Sequence, residues 1–315
     1  MTGMHQSMLF SKTSTGIEIS PSKVTFALVG GTANLPRIDK VSSHPLPTNA
    51  VRVSILEPNV LDPEIFVNCV RSAHNLLLSR NDKVSVSLPD SVGRIMLLDL
   101  EERFKSRAEA LDLIRWKLKK NIPFDLADTH LDYQQLKVRE NGDLALLVVI
   151  ASRTIILQYE ELLTKAGLTP ANIDFNSFNL CRAFESRLSL SEDCILISFY
   201  NGTLGITAFS QGTPEFIRIK ELPGAMAVDS RLFMEINSSL LTYRERFPDR
   251  MSQALFCAAP PNIARNFQEI VAAAAGLSPA LLEIKTFVTS GDNAPGTQEA
   301  LFPYTAAIGA ALRSL

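Results

Sequence analysis

The chain has 315 residues, enough for two domains of ordinary size. Hydrophobic residues make up 46% and charged residues 20%, a globular composition, and the net charge is only −2. That balance excludes the clustered basic surplus of a nucleic-acid binder, and no window approaches the roughly 18 apolar residues of a membrane helix.

Cys69, Cys181, Cys194 and Cys257 sit among apolar neighbours without CxxC spacing, and the four histidines are dispersed. Buried reduced thiols are expected, with no metal site. The first ten residues lack a basic stretch followed by a long apolar one, so no secretory signal is read there. A cytoplasmic protein is expected, one that meets a membrane only through partners.

Gly16–Ile19, Lys23–Val29 and Leu35–Ser42 read as a three-stranded meander, with turns at Ser20-Pro21-Ser22 and Gly30-Gly31. Asp62-Pro63-Glu64 starts a helix: a capping side chain, a proline where no N–H is needed, and an acid at the positive dipole end. Lys83–Leu88 alternates and predicts a strand. Residues from about 89 to 167 read as an inserted subdomain. Ser106 and Glu109 have capping-box spacing ahead of a helix carrying Leu111, Ile114 and Leu118. Asp132–Val138 and Leu144–Ile150 follow as strands around Asn141-Gly142, a hairpin signal. A helix from about Arg153 to Ala166 closes on Gly167.

The second half repeats the opening order. Cys194–Phe199, Thr203–Phe209 and Glu215–Lys220 predict another meander. A long helix, the buried strand Ala254–Cys257 and a helix over Asn262–Ala275 follow. A last helix is expected over Pro303–Ser314. Two such units facing across a cleft describe a duplicated actin-like (RNase H-like) α/β fold with mixed sheets. The first lobe would span 1–190, insertion included, and the second 191–315.

In that architecture the first turn of each lobe cradles phosphates through backbone N–H groups. An acid ending each first strand orders a hydrated magnesium ion. Glu18, Ser20, Ser22 and Lys23 stand at the first position, and Ser198 at the second. Ala258 and Ala259 stand where paired glycines would let the backbone approach a nucleoside. Glu18 is one methylene longer than the expected Asp, Pro21 lacks a donor, and Ile197–Tyr200 carries no acid. These departures predict a degenerate cleft with no catalytic residue. Nucleotide held without turnover, as ATP with magnesium, stays open. No Walker A, Gly-x-Ser-x-Gly or His-Glu-x-x-His sequence occurs.

Arg115-Trp116-Lys117-Leu118-Lys119-Lys120-Asn121-Ile122-Pro123-Phe124-Asp125 and Leu131-Asp132-Tyr133-Gln134 resemble a passage of the PilM family, the FtsA-like cytoplasmic component of type IV pilus assembly. Ala166-Gly167-Leu168-Thr169-Pro170 with Ile173-Asp174, the ending Ala307–Arg313 and the opening Gly16–Thr25 are similar to other passages of that family. The resemblance implies an inserted subdomain like that of FtsA. It also implies a groove taking the N-terminal cytoplasmic tail of a PilN-like inner-membrane protein. Trp116, Ile122, Pro123 and Phe124 are the candidates for shaping that neighbourhood, with core packing as their plainer role. Other pilus-assembly components are expected partners, and self-association stays open. So do two alternatives: an active actin-fold ATPase or kinase, and a related component of a type II secretion or mannose-sensitive-pilus system.

Overall fold

A computed structural model of the chain describes residues 12–101, 103–119, 122, 128–222, 230–248 and 254–315. β1 (Ser14–Ile19), β2 (Lys23–Thr32) and β3 (Leu35–Pro45) form the first meander. Asp62 caps α1 (Pro63–Leu77), its Oδ1 accepting from the Ile65 N–H at 3.1 Å. Phe66, Cys69, Val70, Ala73 and Leu77 turn one face of α1 inward. β4 (Lys83–Leu88) then joins β1 in parallel. Its alternation would suit a half-exposed strand, yet Ser85 and Ser87 are buried as fully as Val84 and Val86. Both faces of β4 are covered, as parallel strands require.

The insertion begins with a strand that the sequence pattern does not reveal, β5 (Gly93–Leu100). α2 (Arg107–Leu118) starts at the expected capping box: Ser106 Oγ accepts from Glu109 N–H at 3.2 Å, and Glu109 accepts from Lys105 N–H at 2.6 Å. β6 (Thr129–Val138) and β7 (Leu144–Ser152) complete a sheet ordered β5-β7-β6. Ile114, Leu118, Leu146, Val148 and Ile150 give it a core of its own. The next helix, α3 (Arg153–Lys165), was expected inside the insertion. It packs instead on α1, Tyr159 meeting Phe66 edge-on, so it belongs with the first sheet.

β8 (Thr169–Phe175) follows, then α4 (Asn176–Ala183) and the short α5 (Glu185–Leu188). The second meander comprises β9 (Asp193–Tyr200), β10 (Thr203–Ser210) and β11 (Thr213–Glu221). α6 (Ser230–Arg246), β12 (Ala254–Ala258), α7 (Ala264–Ala275) and β13 (Ala280–Leu281) complete that lobe. The chain ends with β14 (Thr289–Ser290), α8 (Gln298–Leu301) and α9 (Thr305–Leu312).

The first sheet runs β14-β3-β2-β1-β4-β8 and the second β11-β10-β9-β12-β13. Without β14 the two orders are the same: an antiparallel meander, then two strands parallel to its first. The chain is therefore a duplicated actin-like α/β fold. α1 and α3 cover the outer face of the first sheet, α6 and α7 that of the second. Between the sheets a third core joins Ala27 and Val29 to Leu196, Phe256 and α9. The last stretch does not stay with the second lobe as expected. β14 pairs with β3, and α9 lies across β1, β2 and β4.

Candidate functional site

Glu18 ends β1 where the two lobes meet, and it is 1% exposed. Four donors converge on its carboxylate. Thr25 Oγ1, on β2, donates at 3.3 Å and Asn176 Nδ2, at the start of α4, at 3.5 Å. The second lobe supplies the shorter pair: Tyr200 Oη and Asn201 Nδ2, each at 2.7 Å. Behind them Ser87 Oγ donates to Asn176 Oδ1 at 2.7 Å and accepts from Asn179 Nδ2 at 2.8 Å. The acid expected to face a metal is thus the centre of a buried network clasping one lobe to the other. Burial raises its pKa from 4.5 to about 7, against the opposing pull of Tyr200, Lys23, Thr25 and Asn201.

Nearby, Asp90 accepts from the Ser177 N–H at the start of α4, at 3.1 Å, and burial lifts its pKa from 3.8 to about 6. The β1–β2 turn is closed on itself. The Ser20 N–H donates to Lys23 O at 3.0 Å, and the Lys23 N–H donates to Ser20 Oγ at 3.2 Å. Two backbone donors of a phosphate cradle are therefore engaged, and Pro21 has none. Ser22 is exposed and Lys23 half-buried. Ser198 lies inside the second sheet between Gly205 and Ala258, while Ala258 and Ala259 are packed in apolar cores. Magnesium triphosphate needs free carboxylates and free N–H groups; this donor set does not fit it.

Open space lies elsewhere, in a groove between the insertion and the first lobe. Its floor is the face of β6–β7 turned away from α2, where His130 pairs with Ala151, Asp132 with Val149 and Gln134 with Leu147. Its opposite wall is β8, the edge strand of the first sheet, continued by α4 at Phe178. Three cavities of about 260, 370 and 530 Å³ run along it. Arg313, near the chain's end, pairs with Asp174 in the wall.

Of the four residues singled out for this neighbourhood, the two that the structure describes do not line these cavities. Trp116 is 73% exposed on α2, away from the cavity linings, and Ile122 packs against the insertion's core. Pro123 and Phe124 lie outside the described residues. Of the cleft candidates, Glu18, Ser20 and Lys23 come together through the clasp and the closed turn. Sequence reading missed Tyr200, Asn201, Asn176 and β8. Tyr200 and Asn201 fall in the break between two expected strands, Cys194–Phe199 and Thr203–Phe209, and the structure carries β9 on through Tyr200.

The family model for the type IV pilus assembly protein PilM matches residues 16–194, more than half of the chain. The chain belongs to the PilM family. The expected family membership is thereby met on more than the quoted motifs, for the match runs from β1 through the insertion to the start of β9. Among solved structures, a PilM-PilN type IV pilus biogenesis complex is 17% identical with a TM-score of 0.78, over 95% of this chain and 98% of that one. The cytoplasmic domain of EpsL, an inner-membrane component of the Vibrio cholerae type II secretion system, is 11% identical with a TM-score of 0.53, over 96% of each chain. A Bacteroides thetaiotaomicron protein of actin-like ATPase fold and unknown function has 14% identity and a TM-score of 0.48, over 89% of this chain and 94% of that one. No curated protein sequence matches the chain. At such identities the first two structures speak for the fold alone, while the PilM assignment rests on the family model. Among the described residues, no helix is long and apolar enough to cross a membrane.

Proposed function

We propose that this PilM-family chain is a scaffold of type IV pilus biogenesis on the cytoplasmic face of the inner membrane. It holds the N-terminal tail of a PilN-like membrane protein and turns over no nucleotide. The groove carries this reading. β8 is an edge strand whose outer side can take an added strand, and alternate side chains of that strand would reach Val149 and Leu147 on the floor. The tail then supplies the membrane attachment that no described helix offers. The Glu18 clasp supports the second half of the reading, since a carboxylate satisfied by four side chains is not free to order magnesium water.

The test is calorimetric titration with a synthetic peptide copying the N-terminal cytoplasmic segment of the PilN-like protein encoded beside this chain. Binding in the micromolar range is expected, and Val149→Arg, which places a charge on the floor, should weaken it at least tenfold. No binding at several hundred micromolar would remove the reading.

A further inference from the structure

The inner cavity, at about 530 Å³, differs from the two outer ones in who builds it. The outer two are lined by the insertion and the first lobe, with Arg313 added in the middle one. The inner one adds the second lobe, through Phe209, Thr213 and Pro214 of the β10–β11 hairpin, to Leu136, Leu147 and Phe178. Leu136, Phe178 and Phe209 are half-buried there, apolar surface left with an open side.

The three spaces adjoin one another. Asp132 and Val149 line both outer cavities, and Gln134, Leu147, Phe178 and Arg313 line both the middle and the inner one. β6 runs from His130 at the outer end to Leu136 at the inner end, about 20 Å of extended chain at roughly 3.3 Å per residue. A strand laid on β8 runs past its end at Phe175 toward Phe178 of α4, which lines the inner cavity. β10 joins this cavity to the clasp, since the Tyr200-Asn201 turn that holds Glu18 leads into one end of β10 and Phe209 stands near the other.

We infer that the inner cavity takes an apolar side chain from an end of the same tail, which couples tail binding to closure of the two lobes. This rests on the tail reading above. Because the pocket's walls belong to both lobes, the end of the tail finds its full pocket only while the lobes, with the clasp among their ties, keep Phe209 and Phe178 on one cavity. Linkage makes the effect reciprocal: a tail seated in the inner cavity holds the lobes closed.

Four proteins and a set of peptides test it: wild type, Val149→Arg, Thr213→Trp and Tyr200→Phe, each titrated with the full tail peptide and with peptides shortened by three residues at either end. Thr213→Trp fills the cavity from the second lobe and should weaken the full tail at least tenfold. Tyr200→Phe, which loosens the clasp, should weaken it about threefold. One of the shortened peptides should bind wild type more weakly than the full tail does and be indifferent to both substitutions. If Val149→Arg abolishes binding while Thr213→Trp and Tyr200→Phe bind the full tail as wild type does, the inner-cavity inference is overturned and the groove reading survives. If wild type binds no peptide, both fall. Should Thr213→Trp fail to fold by circular dichroism, Ser189→Trp fills the same mouth from an exposed position and is read the same way.

Discussion

Glu18 is pulled in opposite directions by its surroundings. Its four donors favour the carboxylate, while complete burial favours the acid, and burial prevails to give a pKa of about 7. The neutral form also has a place for its proton. Tyr200 Oη lies 3.3 Å from Pro303 O and can donate there while accepting from Glu18. A carboxyl that holds its proton more tightly when folded contributes most below its unfolded value of 4.5, and that contribution drains away as pH rises through about 7. Asp90, raised to about 6, has the same sign but has finished most of its loss by then. Urea unfolding between pH 6 and 8 should therefore show wild type losing about 1–1.5 kcal/mol more than Glu18→Gln. Equal slopes in the two proteins would refute the buried clasp. Glu18 was legible in the sequence because an acid ending a first strand has a known place in this fold. Its second-lobe partners were not legible, since nothing local tells a strand-end tyrosine that it will face an acid 182 residues away.

At the scale of elements, α9 decides how the first lobe closes. It crosses β1 at Gly16, where an added Cβ would lie 1.9 Å from Ala307 O, and it passes α4 at Gly309, where one would lie 1.9 Å from Asn179 O. Backbone blocks both positions, so neither collision is relieved by turning a side chain. Gly16→Ala and Gly309→Ala should each cost about 3 kcal/mol or more, the upper end for overpacking, by urea unfolding. Gly142→Ala serves as a contrast, because φ is +90° there with nothing near the new methyl, and should cost only about 1 kcal/mol of backbone strain. Parity between Gly142→Ala and the other two would mean that α9 yields easily. The sequence placed Gly16 and Gly309 in a strand and a helix correctly, but their shared purpose is contact between opposite ends of the chain. β8 escaped notice for a different reason. Pro170 and Asn172 are poor strand formers, tolerated because an edge strand leaves one side unpaired.

For the whole molecule, the repeated order of elements was legible because turn residues and caps are local signals, and both meanders and α1 lie where those signals put them. The third part's attachment was not. The insertion is tied to the second lobe by Lys137 to the buried Glu215 of β11 and by Arg246 to Asp99 at 3.9 Å, pairs that only the folded chain brings together. With clasp, shared core and insertion all joining the lobes, a nucleotide entering between them would have to free Glu18 from Tyr200 and Asn201 and open the Ser20–Lys23 turn. The second lobe would still offer no acid at Ser198. Millimolar ATP with magnesium should accordingly move the melting temperature by less than about 1 °C, where a ligand at 100 times its Kd would add about 2.7 kcal/mol and several degrees. Glu18→Asp should give the same result, and neither protein should release phosphate from ATP, because the substitution restores one carboxylate of a site that needs two and shortens the clasp's own anchor. Magnesium-dependent stabilisation of several degrees in the wild type would mean that the lobes part more readily than their contacts imply.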